Sequence, residues 1–107
     1  MTIKWVQVDP LVMNGEPFLY GSRLTVRQLL EERRNGYTLT DILKDHPELR
    51  RVGVAAAFAF ADRNRDRYGE FFESDGALRG PGYSDAEADG IPEQYRLPGV
   101  VTKPSGG

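Results

Sequence analysis

The sequence predicts a mainly α protein: a small three-helix, helix-turn-helix bundle with an N-terminal β-hairpin and an irregular C-terminal tail. Three observations predict it. Apolar residues recur at helical spacing in three successive stretches between residues 26 and 68. Asn14-Gly15 lies between two short extended stretches, and both positions of the favoured two-residue hairpin turn need positive φ. After Tyr68-Gly69 the period dissolves into a segment rich in Gly, Pro, Ser and Asp.

The elements follow in order. Residues 3–8 partly alternate apolar and polar side chains, as a half-buried strand does, and Phe18–Tyr20 supplies its partner. Pro17 stops a helix from running through. A lone hairpin is marginal in water, so this one should rest on the helices. Thr25 is placed to N-cap a first helix from Val26 to Asn35. Val26, Leu29 and Leu30 form its apolar stripe, and Gly36 is a natural stop. Glu31, Glu32, Arg33 and Arg34 fall on the wet side. A second helix, Leu39 to Asp45, opens on Thr38 with Asp41 as an acidic variant of the capping box. It closes at His46-Pro47, because the residue before proline avoids the α region.

A third helix spans Arg51 to Tyr68. Its middle, Val54 to Ala61, is apolar all round, and a three-helix domain buries only one face of each helix. The second face needs a cover: a symmetric homodimer contact, or the tail folded over it. Phe58 and Phe60 point about 200° apart, so one can fill the core and the other an interface, with Ala57 letting backbones approach. Ala57, Phe58 and Phe60 are the candidate dimer residues.

The bulk properties fit one small domain. The chain has 107 residues, 39% hydrophobic and 28% charged, with no cysteine. This excludes disulfides and thiolate metal sites. No apolar run approaches bilayer length, and Met1-Thr2-Ile3-Lys4-Trp5 does not open like a signal peptide. The expected setting is the cytoplasm. The charge is unevenly spread. Residues 1–69 hold 11 Lys/Arg and 9 Asp/Glu, whereas residues 70–107 hold 3 and 7. The division is thus a mildly basic hairpin and helix-turn-helix body, 1–69, and an acidic partner-binding tail, 70–107.

Asp9, Pro10, Gly15, Pro17, Gly21, Arg23, Leu24 and Val26 stand in the order D-P…G-x-P…G-S-R-L-x-V. This pattern resembles domain-of-unknown-function family 433, whose usual form is D-P-x-x-x-x-G-x-P-x-x-x-G-T-R-[IL]-x-V. Ser22 stands for the usual Thr and keeps the hydroxyl. The likeness continues through Leu29, Leu30, Gly36, Ile42, Leu43, Pro47 and Leu49 and covers roughly residues 3–65. The resemblance implies a homeodomain-like fold and the role of an antitoxin, with PIN-like nuclease toxins as partners.

Read on their own, the residues place the candidate chemistry as follows. A helix-turn-helix would put the start of the third helix in the major groove, making Arg50 and Arg51 the base or phosphate contacts. Two arginines at a helix N-terminus oppose the macrodipole, a cost that phosphate relieves. Gly53 does not help a recognition helix. Arg23 either grips phosphate through its fork or pairs with Asp9. Arg27 and Lys4 are lesser candidates for DNA backbone contact. Arg63, Arg65 and Arg67 suit a solvated helix end. His46, the single histidine, suits a turn. Asp41, Asp45 and Glu48 sit on too short an element to build a metal cleft, and no phosphate-cradling loop occurs. Neither metal, cofactor nor enzyme activity is implied.

The expected function is an antitoxin that binds operator DNA as a homodimer and blocks a ribonuclease with its tail. Phe71, Phe72, Tyr83, Tyr95 and Leu97 would be its toxin-binding anchors. Glu73, Asp75, Asp85, Glu87, Asp89 and Glu93 would answer a basic cleft. The alternative is a protein-interaction domain with no DNA role.

Overall fold

The computed structural model describes residues 5–11, 15–74, 76–89, 91 and 92. Lys4, Asn14, Asp75, Glu93, Tyr95 and Leu97, and the side chain of Asp85, lie outside the described residues. The element order is β1 (Val6–Gln7), β2 (Phe18–Leu19), α1 (Val26–Arg34), α2 (Leu39–Asp45), α3 (Arg51–Arg63), α4 (Arg65–Tyr68), a 3₁₀ turn (Gly69–Phe71) and α5 (Asp85–Asp89).

β1 and β2 pair antiparallel, Val6 with Leu19 and Gln7 with Phe18. Gly15, in the connection, has the positive φ, +80°, expected of the turn. The hairpin is fastened to the helices through its second strand. Phe18 bridges to Thr25, and the Val26 N–H donates to the Pro17 carbonyl. Thr25 N-caps α1 through a reciprocal box with Gln28, and Thr38 caps α2 through the same device with Asp41. The α1 stop at Gly36 has φ +99°. α2 has the bounds its sequence predicts.

α3 is shorter than predicted. It ends at Arg63 because the Asn64 side chain donates to the Phe60 carbonyl, taking the acceptor that the continuing helix would use. α3 lies at the centre, touching α1, α2 and both strands. Val54, Ala55, Ala57, Phe58 and Ala61 are buried in one core with Val26, Leu29, Leu30, Leu39 and Ile42.

The second face of α3 is covered by the chain's own C-terminal segment. Phe71, Phe72, Leu78, Tyr83 and Ile91 join the same core, and the Tyr83 ring stacks on Phe58 at 6.4 Å. This corrects two expectations. Ala57 and Phe58 are fully buried within the chain and have no surface to offer a second copy. Phe60 is partly buried, edge-on to Tyr68 at 6.3 Å. The described residues of 71–91, which we call the strap, are built into the fold and not held open for a partner. Phe72 bridges to Leu78, and Ser84 directly precedes α5, its hydroxyl accepting the Glu87 N–H. Among the described residues, no helix is long and apolar enough to cross a membrane.

Candidate nucleic-acid interface

The start of α3 is set by the turn that precedes it. His46 ends α2, its N–H on the Ile42 carbonyl, and its Nε2 meets Glu32 at 2.9 Å. The Leu49 N–H donates to the His46 carbonyl, and Leu49 is buried, which anchors the turn. Arg50 follows in extended conformation, and its carbonyl takes the first helical hydrogen bond from Val54. The Arg50 side chain does not cap α3. Arg50 and Arg51 are both exposed, and neither forms an ion pair among the described residues.

Arg23 is also exposed and does not pair with Asp9, whose carboxylate instead accepts the Leu11 N–H at 2.9 Å. The Ser22 hydroxyl accepts the Leu24 N–H at 3.0 Å, which shapes the turn carrying Arg23. Arg23, Arg50 and Arg51 are thus unpaired cations on the described surface. Arg27 departs from them. It pairs with Glu70, donates to the Arg67 carbonyl and lies over the Tyr68 and Phe71 rings. These partners adjoin the far end of α3, about 18 Å from Arg51 by helical rise. Arg27 therefore fastens the α4 turn and does not belong with the other three.

Gly53, unhelpful from sequence alone, has a packing role. A Cβ there would sit 3.1 Å from Cε3 of Trp5, so the glycine lets the indole lie across the first turn of α3. A helix interior gives up about 1 kcal/mol for a glycine. Trp5 in turn meets Tyr20 edge-on at 6.3 Å, and its carbonyl accepts the Tyr20 N–H. The hairpin and the turn before α3 thereby enclose an open groove lined by Trp5, Tyr20, Gly21, Glu48, Arg50 and Val52.

The model of the family described as "Protein of unknown function (DUF433)" matches residues 6–61. The chain belongs to this family. The crystal structure of a DUF433 member protein from Anabaena variabilis is similar at a TM-score of 0.58 and 23% identity. The match covers 62% of this chain and 65% of that one, so it speaks for the fold. No curated protein matches.

The matched DUF433 region contains Arg23, Arg50, Arg51 and every groove residue except Trp5, and it stops before the strap. Of the anchors expected to meet a toxin, Phe71, Phe72 and Tyr83 are buried in the chain's own core, and Tyr95 and Leu97 lie outside the described residues. Glu87 does not face a partner's cleft either. Its carboxylate accepts from Ser84 N–H at 2.8 Å and from the N–H and hydroxyl of Thr40 at 2.9 and 2.6 Å. Burial pushes Glu87 up, but these hydrogen bonds outweigh it and hold the carboxyl below its ordinary range.

Arg33, which the sequence places on the wet side of α1, is in fact only 4% exposed. Its guanidinium lies against both members of the stacked Phe58–Tyr83 pair, at 5.0 and 5.6 Å from the ring centres. Burial lowers its pKa, opposed by Tyr83 and Glu87. Its Nε and the Tyr83 hydroxyl have no partner among the described residues, and burial pushes the Tyr83 hydroxyl far up. The sequence does carry a signal for this burial: Arg33 lies seven residues after Val26, on the stripe that Leu29 and Leu30 continue. No group of three or more His, Asp or Glu able to hold a metal ion occurs among the described residues.

Proposed function

We propose that this chain is the antitoxin of a toxin–antitoxin pair, contacting operator DNA with the start of α3 and a nuclease-type toxin with its acidic C-terminal stretch. One observation carries the DNA half: Arg50 and Arg51 stand exposed and unpaired where a helix-turn-helix delivers side chains to DNA. Arg23 supports it as a phosphate contact. The toxin half is supported by the family resemblance and by the acidic excess after residue 69. With Phe71, Phe72 and Tyr83 occupied in the core, toxin contact rests on Tyr95 and Leu97.

A second reading, a protein-interaction domain with no DNA role, is favoured by the burial of α3. Residues 53–59 and Ala61 are all buried, so DNA contact is restricted to the first turn. Salt separates the two readings. Binding to duplex DNA from the upstream region of the protein's own gene should weaken steeply with salt. The double variant R50Q/R51Q should flatten the slope of log K against log salt by about 2, because each phosphate that is no longer neutralised removes roughly 0.9. A slope unchanged by the double variant, or no binding at low salt, would favour the interaction domain.

A further inference from the structure

The groove between the hairpin and the start of α3 has a volume of about 550 Å³, within the range of small-ligand sites. Its lining combines three chemistries. Tyr20 is a large aromatic left 54% exposed, and its ring stands at 86° to that of Trp5. A planar guest stacked on Tyr20 would therefore stand perpendicular to Trp5, and both arrangements are favourable for aromatic rings. Glu48 offers only acceptors and Arg50 only donors. Both are exposed, and neither pairs with the other or with any described residue. A peptide carboxylate or a simple amine would use one of these features. A nucleotide uses all three: a flat base, a donating amino group and a phosphate.

We propose that this groove is a nucleobase site. An unpaired, amino-bearing base (adenine, cytosine or guanine) stacks on Tyr20, donates its exocyclic N–H to Glu48 and leaves its adjoining phosphate on Arg50. This rests on the nucleic-acid reading above and adds to it a place for a base outside the duplex.

Trp5 is the single tryptophan of the chain, so its fluorescence reports on this groove. The test titrates the full chain with a short deoxyadenylate strand, an abasic strand of equal length, and duplex DNA. The deoxyadenylate strand should quench Trp5 and bind about tenfold more tightly than the abasic strand, the usual scale for one stacked base. Tyr20→Leu, at an exposed position, should bring the two strands to equal affinity while the far-ultraviolet circular dichroism is unchanged. Equal binding of both strands by the native chain, without quenching, would overturn the base site and leave the nucleic-acid reading standing. Base preference that survives Tyr20→Leu would also overturn the site. Failure of all three probes to bind would overturn both readings.

Discussion

The family-matched body and the strap are stabilised in different ways. In the body, boundaries are written locally: Thr25 with Gln28, Thr38 with Asp41, Gly36 at its positive φ. In the strap, a few long-range contacts do most of the fastening. Tyr83 lies against Phe58 and Arg33, Glu87 reaches back to Thr40, and Gly80 passes so close to Arg33 that a Cβ would collide with the Arg33 carbonyl. Glu87 joins the two styles. It closes a capping box with Ser84 for α5 and satisfies the Thr40 N–H in the first turn of α2. The difference teaches that a segment with the composition of a disordered tail can still fold, provided a neighbouring helix has an uncovered apolar face.

The largest effect is expected where the two regions meet. Tyr83→Ala should destabilise the whole chain by about 3–5 kcal/mol, the range for a buried aromatic truncated to alanine, in a single denaturant transition. A destabilisation below about 1 kcal/mol, or a strap that melts separately, would break the comparison by making the body self-sufficient. Thr38→Ala is the local counterpart and should cost about 1 kcal/mol, read as a shift in denaturation midpoint with unchanged slope.

The smallest effect is a pH dependence. Because the folded protein holds Glu87 below its ordinary value of 4.5, its contribution is present above that pH and is lost as pH falls below it. Asp41 is depressed too, by the Thr38 N–H, and acts in the same direction. The difference in melting temperature between the native chain and Glu87→Gln therefore isolates the strap. It should be largest near neutral pH and shrink in acid; a difference that grows in acid would refute the assignment.

Much of the body is legible in the sequence because its signals are short-range. The α2 bounds follow from Thr38, Asp41 and His46-Pro47, all within a few residues of what they control. The break at Asn64 is hidden, because an asparagine in a charged run looks solvated until its amide is seen on the Phe60 carbonyl. Ser84-Asp85-Ala86-Glu87 is a capping box in plain form, obscured by the Gly- and Pro-rich residues around it. Arg33 lies on the apolar stripe, but its charge argues against burial until two aromatic rings are available to hold it. Arg50 and Arg51 can be read as exposed from their place in the turn. The groove cannot, because it exists only where Trp5 meets Gly53 across most of the body.

The placement of Tyr83 against α3, and of Ile91 in the core they share, also has a consequence during synthesis. A ribosome delivers α3 before the residues that cover it, and at about 5–20 residues per second the interval between Arg63 and Ile91 lasts roughly one to six seconds. Throughout it the nascent chain carries a helix apolar on every side with one side unclaimed. A chaperone or a neighbouring nascent chain thus has a brief opportunity that the finished protein closes.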